Sequence, residues 1–259
     1  MQISMNRTTA PGFQMMAGFN FPTEPRHCSE HGDYMAMNTP AGWSDCPRCN
    51  ALRQQAELLR QEALAYDQSQ MRRAAIPERF FDRRIGTYQP VNRKAQDAQA
   101  IVQAYADDFA DVRKSGRSLI LCGGVGTGKT HLAVGAVHQV VASGYTALYA
   151  VLLDAFRSIK DTYRKDSQLS ESTVLARFAA PDLLVLDEIG VQNGSDTERM
   201  LMFSILNERY NQMKPTILIS NLAKGPLEAH LGERAFDRMR EGGGRMVVFD
   251  WGSFRGTQA

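Results

Sequence analysis

The sequence predicts an α/β fold: a parallel five-stranded sheet covered by helices, preceded by a small cysteine-bearing module and a polar helix. Three observations lead there. From about residue 95 onward, short apolar runs alternate with amphipathic stretches, the pattern of a parallel sheet with crossover helices. One run, "PDLLVLDE", has no polar interruption before its acidic end, as expected of a strand buried on both faces. Three of the four cysteines lie between residues 28 and 49, apart from that alternation.

The elements follow in order. Residues 1–50 are rich in Met, Gly, Pro and Cys and show little periodicity. Residues 51–75 read as a polar helix, because Leu52, Leu59 and Ala63 recur at helical spacing among charges. Pro77 and Pro90 bracket "ERFFDRRIGTYQ", too interrupted for a long element. "AQDAQAIVQAYADDFADV" is an amphipathic helix and "RSLILCG" a strand. "KTHLAVGAVHQVVASG" is a helix closed by Gly144. "TALYAVL" and "PDLLVLDE" are strands separated by the helical "LDAFRSIKDTYRK". The helix "TERMLMFSILNERYNQM", the strand "PTILISN", the short helix "GERAFDRMREG" and the strand "RMVVFDW" complete the chain. The expected division is 1–50, 51–75 as a linking or partner-binding helix, and 76–259 as the α/β domain.

Composition narrows the class. A net charge of +2 gives no blanket basic field, so contact with nucleic acid would be local. No run approaches the roughly 18 apolar residues of a membrane span, and the first residues lack a signal-peptide apolar core. A cytoplasmic protein without membrane contact is the expectation.

The strongest motif is "GGVGTGKT", which matches G-x-x-x-x-G-K-T. Gly123, Gly124, Val125, Gly126, Thr127 and Gly128 would curl backbone N–H groups around phosphates, and the helix N-terminus at Lys129, Thr130 and His131 favours negative charge. Lys129 would reach the β- and γ-phosphates of ATP and the Thr130 hydroxyl would ligate Mg²⁺. The apolar strand before the motif and the helix after it are the setting this chemistry requires. Cys122, on that strand, reads as core. Asp187 closes the buried "LLVLD" run and would orient Mg²⁺, with Glu188 beside it to polarise the attacking water. Asn221 ends "TILISN", where it either holds the lytic water or forms a turn.

These motifs, with "LLVLDEIGVQ", "LGERAFDRMREGG" and "FDWGSFRG" following in order, resemble the DnaC family of replicative helicase loaders. That family is a branch of the AAA+ ATPases that also includes the transposition helper IstB. The resemblance covers roughly residues 72–256 and implies a three-layer αβα AAA+ domain. It implies that Arg238 is an arginine finger for a neighbouring subunit's ATP and that Arg255 contacts nucleotide in its own subunit. The alternative for Arg238 is a helix-face ion pair with Asp237 or Glu241; Arg234 and Arg240 read as surface or DNA-facing charges. It also implies a single-stranded DNA contact within residues 153–178, where Tyr163, Arg164 and Lys165 set an aromatic beside two cations. Phe156 could be core. The implied activity is Mg²⁺-dependent ATP hydrolysis by an oligomer that recruits a DnaB-type helicase to DNA in a phage-type or chromosomal replication module. An IstB-like transposition ATPase and a zinc-stabilised adaptor with little ATPase activity are the competing readings.

"CSEH…CPRC" supplies Cys28, His31, Cys46 and Cys49. Two pairs at x₂ spacing across a short loop suit a tetrahedral Cys₃His Zn²⁺ site. His27 could replace His31, and a redox Cys46–Cys49 pair would lack its usual βαβ context. The helical N-terminal region of the best-known loaders lacks this cluster, although some related Gram-positive loaders carry an N-terminal zinc module.

Overall fold

The computed structural model describes residues 21–191 and 195–254. The strands β1 (Thr23–Cys28), β2 (Gly32–Thr39) and β3 (Gly42–Trp43) form an antiparallel sheet in that order. This hairpin falls in the zone read from sequence as aperiodic. Its strands show little alternation because the sheet covers almost nothing: before Tyr66, Ala36 and Cys46 are the buried apolar side chains among the described residues. The helix α1 (Pro47–Arg73) begins on a proline, which suits a first helical turn because that turn's N–H is unpaired anyway.

The chain divides into two compact units between Ala65 and Tyr66. The boundary lies inside α1 rather than after residue 75, because the end of α1 belongs to the second unit's core: Met71 and Ala74 are buried there. A polar clasp adds to this. Arg84 donates to the Asp67 carboxylate at 2.6 Å and to His138 Nε2 at 2.6 Å. His138 Nδ1 therefore carries the proton and donates to Asp67 at 3.2 Å. Burial and the Arg84 charge hold the His138 pKa below its ordinary value.

In the second unit α2 (Arg93–Asp107) and α3 (Phe109–Ser115) replace the single helix expected from the periodicity. Asp108 breaks it, and its carboxylate takes Arg117 at 2.8 Å. The strand β4 (Leu119–Gly123) leads through the glycine-rich loop into α4 (Lys129–Ala142). Next come β5 (Ala147–Val151), α5 (Leu152–Lys160) and α6 (Glu171–Ala179). The strand β6 (Leu183–Ile189), α7 (Asp196–Asn211) and β7 (Thr216–Ser220) follow. The chain then forms α8 (Lys224–Leu231), α9 (Glu233–Arg240) and β8 (Arg245–Phe249). Sequence periodicity had not marked α8, which is only eight residues long.

The five strands are parallel in the order β5-β6-β7-β4-β8. Alternate side chains of β4 enter opposite cores: Leu119 and Leu121 pack with α2 and α4, Ile120 and Cys122 with α5 and α7. Helices on both faces give the three-layer αβα arrangement that the sequence predicted. Cys122 is wholly buried in that core. The crossovers bring β6, β7 and β4 side by side, so their C-terminal ends form one edge, where open parallel sheets bind ligands.

The opposite edge is fastened by Arg209, 1% exposed. Its guanidinium donates to Phe178 O at 2.8 Å, Pro181 O at 2.9 Å, Pro215 O at 2.7 Å and the Thr216 hydroxyl at 2.9 Å. Burial pushes its pKa down to about 9. Arg209→Met takes the guanidinium donor from Phe178 O and Pro181 O and leaves Pro215 O only the Leu184 amide at 3.4 Å, and unmet groups of this kind cost about 1–3 kcal/mol each. Urea denaturation is expected to show a loss of at least about 3 kcal/mol, and Arg209→Lys recovers only part of it because an ammonium cannot fork.

Candidate functional site

The glycine-rich loop follows β4 and ends at Gly128, which adopts φ +95° as the cap of α4. A side chain there would place its β-carbon 2.4 Å from the Tyr88 ring, so both the backbone angle and the space require glycine. Lys129 is 4% exposed, and its ammonium donates to the carbonyls of Gly123 at 2.8 Å and Gly124 at 2.6 Å. Thr127 folds back on Gly124 O at 2.7 Å, while Val125 stands exposed at the loop tip. The His131 ring turns away from the loop, with Nε2 2.9 Å from Arg84 O and 3.2 Å from the Thr87 hydroxyl. Burial holds its pKa below the usual histidine range.

Beside the loop, Asp187 receives the Thr130 hydroxyl at 2.9 Å and the Tyr149 hydroxyl at 2.7 Å. Its other oxygen accepts the Glu188 amide at 2.6 Å. Motif reading missed Tyr149, which lies on β5 with its amide bonded to Ala74 O at 2.7 Å; its one signal was a polar tip in an apolar strand. Burial, then the Asp187 charge, pushes the Tyr149 pKa up, so the phenol stays a donor.

Glu188 has φ +62°, a left-handed conformation that costs a non-glycine residue on the order of 1 kcal/mol or more. The pairing of β6 with β7 slips between Leu186 and Ile189. This bulge turns the Glu188 side chain outward, and the Ser220 hydroxyl pins it through Ile189 O at 2.6 Å. Asn221 follows β7, which pairs with both β4 and β6, so it lies at the same sheet end as the loop and Asp187 and is exposed. The set Lys129, Thr130, Asp187, Glu188 and Asn221 thus shares one edge. Thr130 and Asp187, already in contact, offer the oxygen donors that Mg²⁺ takes.

Arg238 lies elsewhere, on α9. Its guanidinium hydrogen-bonds Asn207 Oδ1 and stacks over the rings of Phe203 at 4.8 Å and Tyr210 at 5.1 Å, all on α7. Glu241, one of the two acids weighed as its ion-pair partner, instead accepts the Tyr210 hydroxyl at 2.7 Å. Arg240 stacks on Phe236 at 5.6 Å and Arg234 is exposed. Arg255 lies outside the described residues. Phe156 is buried in the core. Tyr163, Arg164 and Lys165 sit on an exposed turn after α5, where Arg164 also pairs with Asp166 at 3.3 Å.

In the first unit the hairpin end and the start of α1 bring Cys28, His31, Cys46 and Cys49 together, with all ligand atoms within 4.8 Å of one another. His31 Nδ1 is 3.6, 3.9 and 3.3 Å from the three sulfurs, and Cys28 and Cys49 are 3.6 Å apart. A tetrahedral Zn²⁺ with ordinary bond lengths needs edges of about 3.6–3.8 Å, so the donor set fits that ion. The Glu30 amide, then His31, lowers the Cys28 thiol to about 6, while the hydrogen bond with Cys28 pushes its neighbour Cys49 up to about 11; metal binding at such a site requires both as thiolates. His27 faces away and pairs with Asp33 at 2.6 Å.

Three comparisons bear on this arrangement. A profile of the IstB-like ATP binding protein family matches residues 40–238. The replicative helicase loader DnaC of Escherichia coli K12 is 38% identical over 138 residues, 53% of this chain and 56% of that protein. The match therefore spans a little over half of that relative's length. The replicative helicase loader DnaC of Buchnera aphidicola subsp. Acyrthosiphon pisum is 30% identical over 183 residues, 71% of this chain and 73% of that one. The crystal structure of the DnaC helicase loader superposes with a TM-score of 0.60 at 24% identity, covering 67% of this chain and 100% of that one. AMPPCP-bound DnaA from Aquifex aeolicus superposes at 0.54 with 23% identity, over 64% and 50% of the two chains. These structural likenesses show a shared fold, the helix-covered parallel sheet of the second unit.

The cysteine cluster makes a direct prediction. Purified protein should contain one Zn²⁺ per chain by elemental analysis, and Cys46→Ser should lose it. Chelation should abolish the ordered structure of the first unit, seen by NMR or protease sensitivity, while the thermal transition of the second unit moves little.

Proposed function

The chain belongs to the IstB-like ATP binding protein family, and from that premise we propose that it is an ATP-dependent loader placing a DnaB-type replicative helicase on single-stranded DNA. The observation that carries the reading is the convergence of the loop and Lys129 with Thr130, Asp187 and Glu188 at one sheet end. The printed names of the DnaC relatives support the loading role.

In this reading the loop amides and Lys129 bind the ATP phosphates, and Thr130 with Asp187 holds Mg²⁺. An ion held by these two residues would supply positive charge against the phosphoryl oxygens. Glu188 accepts a hydrogen bond from the attacking water, and Asn221 helps to orient it. Arg238 acts on the phosphate of a neighbouring copy; its hold on α7 through Asn207 and two rings supports a preset guanidinium. Arg255 acts on the nucleotide of its own subunit, which is supported by its neighbour Phe254, whose amide bonds the loop at Gly126 O, 3.0 Å away. Tyr163, Arg164 and Lys165 meet single-stranded DNA. The zinc unit and α1 grip the helicase, a role supported by Leu52, Leu58, Leu59 and Leu64, each more than half exposed on α1. The protein works in the cytoplasm as an oligomer assembled on the helicase.

With helicase and single-stranded DNA present, Lys129→Ala should abolish ATP turnover, and Glu188→Gln should lower it roughly 100-fold or more while ATP still binds. Arg238→Ala mixed with Lys129→Ala should recover part of the turnover at hybrid interfaces, and no recovery would sink the finger assignment. A pull-down that retains a DnaB-type helicase supports loading, whereas one that retains a transposase instead favours the transposition reading. Turnover no greater than that of Lys129→Ala would leave an adaptor.

A further inference from the structure

Two aromatic side chains outside the nucleotide motifs converge on one carbonyl of the glycine-rich loop. The Tyr88 hydroxyl donates to Thr127 O at 3.0 Å, and the Trp251 indole N–H donates to the same oxygen at 3.2 Å. The preceding carbonyl, of Gly126, accepts the Phe254 amide at 3.0 Å. Tyr88 belongs to the turn before α2, while Trp251 and Phe254 belong to the strap after β8. The strap is itself tied down, because Asp250 pairs with Lys94 of α2 and the Trp251 ring packs 4.8 Å from Phe249. It lies so close to the loop that a β-carbon on Gly126 would come 2.0 Å from the Ser253 hydroxyl.

A peptide unit is planar and trans, so its C=O and N–H point in opposite directions. Fixing Thr127 O on Tyr88 and Trp251 therefore aims the Gly128 N–H away from both rings. Fixing Gly126 O on the Phe254 amide aims the Thr127 N–H away from the strap. These are amides of the loop that cradles phosphate. Residues 123–128 include four glycines, each free to rotate through conformations closed to other residues. Without restraint the peptides would have to be ordered at the expense of ligand affinity.

We propose that Tyr88 and Trp251 are positioning residues that preset the Thr127–Gly128 peptide for phosphate, so that nucleotide affinity depends on them while the hydrolytic step does not. The inference rests on the nucleotide-site reading above. It also explains why Tyr88, 9% exposed, spends its hydroxyl on a loop carbonyl.

The test uses the full-length chain with Mg²⁺, measuring the Kd of ADP by titration calorimetry and, with helicase and single-stranded DNA present, kcat at saturating ATP. Tyr88→Phe and Trp251→Phe should each weaken ADP about 2- to 5-fold, because one donor still holds the carbonyl. The double variant should lose about 10- to 50-fold, more than the product of the singles, with kcat within about twofold of wild type. Equal losses in kcat and affinity would point to a damaged fold and overturn the inference, as would unchanged affinity in the double variant. If the double variant does not fold, unchanged affinity in both singles overturns it. Wild-type protein whose ADP binding does not depend on Lys129 overturns the nucleotide-site reading itself; Lys129-dependent binding with an unaffected double variant overturns this inference alone.

Discussion

A carboxylate taken out of water must have its lone pairs met, and Asp187 does so with three donors from three elements. The Thr130 hydroxyl comes from α4, the Tyr149 hydroxyl from β5 and the Glu188 amide from β6, which also carries Asp187. Each donor fixes something else in turn. Thr130 ties the phosphate-loop helix to β6, and Tyr149 ties the sheet's edge strand to the same atom. The Glu188 amide contact goes with the bulge that turns the Glu188 side chain outward. The candidate site is organised around this buried oxygen pair more than around the loop that announces it in the sequence.

The two units solve the problem of holding a chain together in different ways. The second buries two apolar layers against a five-stranded sheet, and its polar interior groups are satisfied one by one, as Arg209 shows. The first has almost no apolar interior. Cys28, His31, Cys46 and Cys49 instead converge within 4.8 Å of one another, and an ion bound there would supply the stability a core normally gives. Leu52, Leu58, Leu59 and Leu64 of α1 are more than half exposed, so this stretch of the helix covers no apolar core.

Backbone geometry carries as much of the site as side chains do. Glu188 holds a left-handed conformation, and Gly128 holds one that a side chain would block against Tyr88. Tyr88, Trp251 and Phe254 occupy loop carbonyls and so set where the opposed amides point. Such restraints are distributed over residues 39 and 124 positions from the carbonyl they share, and no local pattern connects them.

The sequence by itself determined the alternation of strands and helices, the loop at Gly123 to Thr130, the acidic pair closing β6 and the metal-spaced Cys28, His31, Cys46 and Cys49. Each is local: apolar periodicity, glycine content and ligand spacing are properties of short stretches and survive without tertiary context. The hairpin β1–β2 was not legible because the more covered face of β2 carries Gly32, Tyr34, Ala36 and Asn38 while the apolar Met35 and Met37 are exposed, which hides the alternation. The break at Asp108, whose carboxylate takes Arg117 nine residues on, leaves no mark in the apolar periodicity. Tertiary structure alone decided that Tyr149 would reach Asp187, that Arg238 would be held by an amide and two rings instead of an acid, and that Tyr88 and Trp251 would meet at Thr127. Those contacts join residues distant in the chain, and the parallel crossovers that bring them together are fixed only when both faces of the sheet are packed.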